Sequence, residues 1–448
     1  MKKRLKKTNP YLIIILSFVG VIVIGCVLLA LPAASSTGKS IGFVNALFMA
    51  TSAVCVTGLS VVTVGVDFTF FGKAVMAFLM ETGGLSFITI AVFFFTMLGA
   101  RIGVTDRFII REALNQSSVK GLVALIRRIV FISVSIQLAG ALINTFEFVK
   151  YCETPGKAIG MSVFHSVAAF NNAGFDIFGS SSMIPFRDSV LINVTTMLLI
   201  FLGSIGFIVI DDIFRKKSWK KLTLHSKIVF TATVILIVSG TLLIKFTLRD
   251  PSFTWLQAAF SSVTCRTAGF TTYDLANLRS YPASYIIFVL LMIIGASPCS
   301  TGGGIKTTTA AVMILSVLSY ARGRSPEVFK RKIGEAQIFK AYVLIGLCIL
   351  VVSVGTFLVS AIQPDMLLAD GTKAGFAEIL FEVASAFSTT GLSMGITTAL
   401  NSANRVLFCL IMFCGRLGPL TIIGVVNNNW MSKSKEAVQY VEENIIIG

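Results

Sequence analysis

The sequence predicts an all-α integral membrane protein made of four parallel units, each a helix, a re-entrant pore loop and a second helix, set around a pseudo-fourfold central pore. Three observations predict it. Apolar runs of bilayer length recur along the 448 residues. A glycine-centred segment lies between the two runs of each pair, and basic residues gather in the stretches that join one pair to the next.

The apolar runs come first. The chain is 55% hydrophobic and 13% charged, where a soluble globular domain carries about 25% charged residues. A run of roughly 20 apolar residues spans a bilayer. Lipid offers no partner to a bare N–H or C=O, so such runs form helices. The alternating pattern of an outer-membrane barrel is absent. A net charge of +17 would point a soluble protein toward nucleic acid, but here the charge sits in short connections, as in the cytoplasmic loops of membrane proteins. Cys26, Cys55, Cys152, Cys265, Cys299, Cys348, Cys409 and Cys414 form no C-x-x-C pair and read as small reduced hydrophobes. With only His165 and His225, a histidine metal centre is disfavoured.

The N-terminus has two readings. Residues 1–7 are basic, 11–31 apolar, and Pro32-Ala33-Ala34-Ser35 resembles a cleavage site, as Val23-Ile24-Gly25-Cys26 resembles a lipoprotein processing site. The apolar run exceeds the 7–15 residues of a signal core, and the first unit needs it. We expect it to be retained.

The repeat is the second observation. Segments 48–59, 164–175, 260–270 and 381–392 each begin with Phe, continue through small and hydroxyl residues, and end in Gly followed by Leu or Phe. The glycines, Gly58, Gly174, Gly269 and Gly391, are 116, 95 and 122 residues apart. Upstream runs lie near 11–31, 125–149, 224–246 and 337–361; downstream runs lie near 72–99, 188–210, 284–320 and 403–427. The expected units are 1–100, 101–216, 217–325 and 326–432, with a cytoplasmic tail at 433–448. Each downstream run carries a small-residue patch 24 to 29 residues after its loop glycine: Gly83-Gly84, Gly203-Ser204, Gly295-Ala296-Ser297 and Gly415-Arg416-Leu417-Gly418. Such residues allow close helix packing.

Two spans per unit return every linker to one side. Counting Lys and Arg, 25 fall on that side, 10 on the other, and Arg266, Lys306 and Arg416 lie within the pore region. The bias predicts cytoplasmic N- and C-termini in the plasma membrane.

An ion leaving water needs its hydration oxygens replaced, and backbone carbonyls of an extended chain do this. Glycine suits such a loop because it accepts unusual backbone angles and leaves no side chain in the way. The candidate ion filter is therefore Val56, Thr57 and Gly58; Asn172, Ala173 and Gly174; Thr267, Ala268 and Gly269; and Thr389, Thr390 and Gly391. Taken singly, each glycine reads better as a helix cap or turn; four in equivalent places read as one site.

These paired spans, single loop glycines and glycine-rich downstream patches resemble the Trk/Ktr/HKT superfamily of potassium transporters over nearly the whole chain, and within it the KtrB-type membrane subunit. The resemblance implies that the four glycines are filter residues and, with no Ser in the first, a potassium-preferring member. It also implies a homodimer docked on a cytosolic nucleotide-binding regulatory ring (KtrA-type). Potassium is the transported ion and sodium the candidate second ion. No covalent cofactor is implied, and nucleotide reaches the system only through the regulatory partner.

The third downstream run is broken by Gly295, Pro298, Gly302, Gly303 and Gly304, which interrupt a helix. A polar segment below the filter is a natural gate, and the resemblance implies the same; a kinked packing helix is the plainer reading. Lys306 would repel an ion there. The stretch is not a Walker A loop, because Ile305 stands where Gly must precede the Lys. Arg416, an intramembrane charge, is assigned to the pore or gate in preference to a structural ion pair. Arg266 is expected to sit behind the filter, bonding carbonyls or a carboxylate, and Glu81 to support a loop by accepting backbone hydrogen bonds. Asp211 and Asp212 read as surface or linker charges, and the tail at 432–448 as a partner contact.

An ion-coupled secondary transporter of a small solute is the alternative. Such folds favour inverted repeats and midplane acids, whereas these units run one way. A plain membrane scaffold leaves the glycines unexplained, and no nucleophile–base set supports an enzyme.

Overall fold

The computed structural model describes residues 10–98, 103, 111, 121–179, 181–368 and 371–426. The tail at 432–448 and the basic residues at 2–7 lie outside them. The described helices repeat one order: a long helix, a short one, then a span broken in its middle. The long helices are α1 (Pro10–Ala30), α5 (Leu122–Phe148), α9 (Leu224–Thr247) and α13 (Glu335–Ile362). The short ones are α2 (Phe43–Val54), α6 (Pro155–Phe170), α10 (Trp255–Thr264) and α14 (Phe376–Ser388). The broken spans are α3 (Phe70–Leu85) with α4 (Phe87–Met97), α7 (Val190–Ser204) with α8 (Phe207–Lys216), α11 (Pro282–Ile293) with α12 (Thr307–Ala321), and α15 (Ser402–Leu417) with α16 (Pro419–Val426).

The long helices are apolar on all sides yet bury only 22 to 39% of their most hydrophobic stretch. A helix that is hydrophobic all round and still exposed has lipid as its solvent. This is an integral membrane protein. Polar caps mark where chains re-enter helices: Thr154 caps α6 ahead of Pro155, Thr254 and Gln257 form a capping box on α10, and Asn401 accepts from the Asn404 amide on α15 at 2.8 Å.

The third downstream span is not alone in being broken. α3 and α4 meet at 94°, α7 and α8 at 94°, and α15 and α16 at 92°. The hinge residues Ser86, Gly206 and Gly418 have φ of 70°, 96° and 82°, which ends an α-helix in a single step. The third unit differs in length: residues 294–306 separate α11 from α12.

The small patches have a contact of their own. A Cβ on Gly83 would lie 2.0 Å from the Val54 carbonyl oxygen, on Gly203 1.9 Å from that of Phe170, and on Gly415 1.8 Å from that of Phe387. Each is the carbonyl four residues before its unit's loop glycine. The downstream span thus presses its backbone against the end of the short helix. A small antiparallel hairpin, β1 (Glu327–Val328) and β2 (Arg331–Lys332), turns through Phe329 and Lys330 at φ 48° and 61°. It is an addition to the all-α expectation, built on a two-residue turn whose twist suits a hairpin.

Gly203→Ala and Gly415→Ala should each destabilise the protein by about 1–3 kcal/mol, the usual cost of overpacking, and lower the thermal unfolding midpoint of the purified protein. Gly20→Ala, in α1 with nothing within 4 Å, should leave it unchanged or raised.

Candidate functional site

Each short helix stops the same way. The Thr57 amide donates to the Ser52 carbonyl at 2.8 Å, Ala173 to Ala168 at 2.8 Å, and Thr390 to Ser385 at 2.9 Å. This six-to-one bond closes a Schellman cap. The third loop is one residue shorter, and there Ala268 donates to Thr264 at 2.9 Å. The cap needs a left-handed residue, supplied by Val56, Asn172, Thr267 and Thr389 at φ 56°, 56°, 72° and 53°. Positive φ in a β-branched residue is strained, and such strain collects at working sites. Two residues later the glycines are left-handed again, at 91°, 67°, 81° and 84°. The cap that sequence offered as an alternative to a filter loop is present, and it is the means by which the helix hands over to the loop.

The four loops close a ring. A methyl group on Gly58 would lie 2.6 Å from the Ala173 carbonyl oxygen; on Gly174, 2.8 Å from Ala268; on Gly269, 2.5 Å from Thr390; and on Gly391, 2.0 Å from Thr57. Each glycine faces the residue preceding the next glycine, in chain order, until the fourth returns to the first. The short helices all lead into this ring by their C-terminal ends, and each such end carries about half a negative charge.

On one side the ring floors a vestibule of about 390 Å3, lined by the four glycines and by residues just after them in the chain. Asp67 and Asp176 also line it. The return strands are held from behind. Ser52 donates its hydroxyl to the Leu59 carbonyl at 2.7 Å, and Thr264 does the same to Phe270 at 2.7 Å. In the fourth unit Glu382, fully buried, accepts from the Ser393 hydroxyl at 2.8 Å, the Met394 amide at 3.3 Å and the Thr397 hydroxyl.

The other side is occupied by residues 294–306. Gly302 lies against the Thr267 side chain, Gly303 against Thr389 and Gly304 against Ser388. The Thr301 hydroxyl donates to the Phe170 carbonyl at 3.2 Å, the Ser297 amide to Ser204 at 3.0 Å, and the Phe207 amide to the Cys299 carbonyl at 2.9 Å. Pro298 places its carbonyl 2.7 Å from a Cβ built on Gly206, and Gly295 faces the Gly303 carbonyl. The vestibule touches the glycines and the return strands; the inserted segment touches residues two to four positions before the glycines, so the ring separates the two. Lys306 donates back to the Gly302 carbonyl at 2.7 Å. Arg416 donates to the Thr301 carbonyl and to the carbonyls of Gly83 and Gly84 at 2.5 and 3.1 Å. It thereby joins the inserted segment to the first unit.

Three expectations change. Glu81 accepts from side-chain amides, Asn171 at 2.6 Å and Gln137 at 2.9 Å, because Asn171 of the second loop reaches across to it before any backbone N–H. Arg266 is 2% exposed, but among the described residues its guanidinium bonds neither a carbonyl nor a carboxylate. Asp212 is buried rather than on the surface. Its carboxylate accepts from the Thr223 amide and hydroxyl, each at 2.9 Å, and from Ser226 at 2.7 Å, which anchors the start of α9. Asp67, Asp176 and Glu382 were not singled out from sequence. Glu382 had a signal, being a carboxylate inside a short apolar half-helix.

Four short helices, each ending in a loop set between a long apolar helix and a broken span, define a polytopic membrane protein of the transporter class. The chain belongs to the TrkH family of cation transport proteins, which matches residues 2–432. It is 36% identical over 427 residues to the Ktr system potassium uptake protein B of Bacillus subtilis, covering 93% of this chain and 92% of that one. It is 37% identical over 452 residues to the protein of the same name in Vibrio alginolyticus, covering 97% and 94%, and 35% identical over 465 residues to the potassium/sodium uptake protein NtpJ of Enterococcus hirae, covering 100% and 99%. The fold matches the crystal structure of the potassium transporter TrkH from Vibrio parahaemolyticus with a TM-score of 0.71 at 21% identity, over 96% of this chain and 87% of that one.

Glu382→Ala should leave three donors without their acceptor. At roughly 1–3 kcal/mol for a buried unsatisfied group, the thermal unfolding midpoint of the purified protein should fall by several degrees, and Glu382→Gln, which keeps an acceptor oxygen, should fall less. An unchanged midpoint in the alanine variant would mean that this carboxylate does not hold the return strand.

Proposed function

We propose that the protein takes up potassium across the plasma membrane through a channel-like pore whose filter is the ring of loop carbonyls and whose gate is the segment 294–306. The observation that carries this reading is the closed set of glycine-to-carbonyl contacts. In it the carbonyls of Thr57, Ala173, Ala268 and Thr390 each stand next to the glycine of a neighbouring loop. Backbone carbonyls gathered around a path replace a hydration shell, and the four helix C-termini favour a cation there. Val56, Asn172, Thr267 and Thr389 set the backbone one step below. Asp67 and Asp176 concentrate cations at the entrance. The relatives' names supply potassium as the ion, and that of NtpJ adds sodium as a second.

The gate reading rests on position. Gly302, Gly303 and Gly304 pack directly beneath two of the loops, and Lys306 and Arg416 add two charges where an ion would leave the ring. Arg416 holds the segment in place by bonding Thr301 on one side and Gly83 and Gly84 on the other. Gly295 and Pro298 let the chain leave and rejoin the span. Cytoplasmic termini, a homodimer and a nucleotide-binding regulatory ring complete the proposal; the names of the relatives place those proteins in a Ktr system.

Rubidium uptake in potassium-transport-deficient cells tests the filter. Gly58→Ser, Gly174→Ser, Gly269→Ser and Gly391→Ser should each lower the preference for potassium over sodium by roughly tenfold, about 1.4 kcal/mol, in protein that still reaches the membrane. Unaltered selectivity in all four active variants would reduce the glycines to turn residues. For the gate, Arg416→Gln should raise the basal uptake rate severalfold, because the segment loses its tie to the first unit. A rate equal to that of the unmodified chain, at equal membrane levels, would remove Arg416 from the gate.

A further inference from the structure

The second broken span ends in an unusual surface. α8 leaves α7 at 94°, so it runs crosswise to the apolar helix that leads into it. α8 carries Phe207, Val209 and Ile210 on its buried side, whereas Asp211, Arg215 and Lys216 belong to its polar side. That division suits a helix lying at the headgroup boundary. The chain then turns through Lys217 at φ 48° and brings Trp219 against Phe230, with ring centroids 5.7 Å apart, and against Phe329 of the hairpin at 6.4 Å. Tryptophan favours the membrane–water interface, where one end is wet and the other apolar.

Trp219, Phe230, Ile213, Phe214 and Leu222, with Lys217 and Ser218, line a pocket of about 410 Å3, within the range that holds a small ligand. Its surface is almost wholly carbon. Phe214 and Trp219 nevertheless remain 63% and 46% exposed. The rim is basic, with Lys217, Lys220 and Lys221 on the chain between α8 and α9, and Lys330, Arg331 and Lys332 on the adjoining hairpin. The neighbouring carboxylates are already paired. Asp211 meets Arg128 at 2.7 Å and Arg215 at 3.7 Å, and Asp212 meets Lys216 at 2.7 Å. Among the described residues Lys217, Lys220 and Lys221 have no ion-pair partner.

We propose that this pocket binds an anionic phospholipid, with part of an acyl chain among Phe214, Trp219 and Phe230 and the phosphate among Lys217, Lys220 and Lys221. Charge complementarity selects an anion. The apolar pocket at the junction of two membrane helices selects a lipid over an acidic soluble protein, because only a lipid brings both parts to that depth. The proposal is independent of the filter and gate readings.

Native mass spectrometry of the purified full-length chain tests it by titration with phosphatidylglycerol, phosphatidylcholine or inorganic phosphate. One phosphatidylglycerol per chain should be retained roughly tenfold more tightly than phosphatidylcholine, because the lysines meet a net anion in the first headgroup and a zwitterion in the second. The combined variant K217Q/K220Q/K221Q, whose side chains are at the surface, should lose that preference, and Trp219→Ala should weaken both lipids. Free phosphate should not bind. Equal retention of phosphatidylglycerol by the triple variant and the unmodified chain, at the same unfolding midpoint, would overturn the proposal. So would inorganic phosphate binding as well as the lipid. A triple variant that keeps the lipid preference but no longer co-purifies with a cytosolic subunit would reassign the surface to a protein contact.

Discussion

Between Gly391 and the carbonyl of Thr57 there is no room for a methyl group, and the other three meeting points of the loops are similarly close. The rest of the structure serves that contact. Backbone that leaves a helix at membrane depth has no water to bond and must be walled in by protein. Here the wall of each loop is the next loop. A second set of glycines, Gly83, Gly203 and Gly415, brings the broken spans up to the last carbonyls of the short helices. One set sets the width of the ring and the other fixes its height against the scaffold.

Fourfold likeness stops at the third unit. Its loop is a residue shorter, its Gly295 faces the Gly303 carbonyl instead of a short-helix carbonyl, and its Arg266 is buried without a partner among the described residues. Its downstream span is opened by thirteen residues, 294–306. In the other units a single left-handed hinge suffices. The departures cluster beneath the ring, where Phe170, Ser204 and Phe207 of the second unit bond the altered segment directly and Arg416 of the fourth ties it to Gly83 and Gly84 of the first. One unit carries the variation while three keep the ring's shape.

The long helices and the loop segments were legible because length and apolarity alone identify the former, and a glycine recurring at one place among small residues marks the latter. The glycine patches were visible but not their partners, since a contact with a carbonyl leaves no trace in side-chain chemistry. The bends were hidden. A turn of more than 90° needs only one residue at positive φ, and at Ser86 that residue is not even glycine. Glu382 was overlooked because its neighbours in the short helix are apolar, although its burial there demands donors. The reach of Asn171 to Glu81, ninety residues away, depends on how two units pack and could not be read from either one. The turn at Phe329 and Lys330 carries no glycine, so the hairpin had no signal of its own.

The ring also orders the making of the protein. Gly391 closes on Thr57, and these residues are separated by more than three hundred positions of chain. As the polypeptide is threaded into the bilayer from its N-terminus, the first loop is in place long before its last neighbour exists. Until the fourth unit arrives, the Thr57 carbonyl lacks one wall, and a loop-closure entropy of long range must be met before the contact forms. Assembly therefore ends with a lateral docking of finished units, and a chain cut short before its last hairpin of helices keeps an open groove where the ring should be.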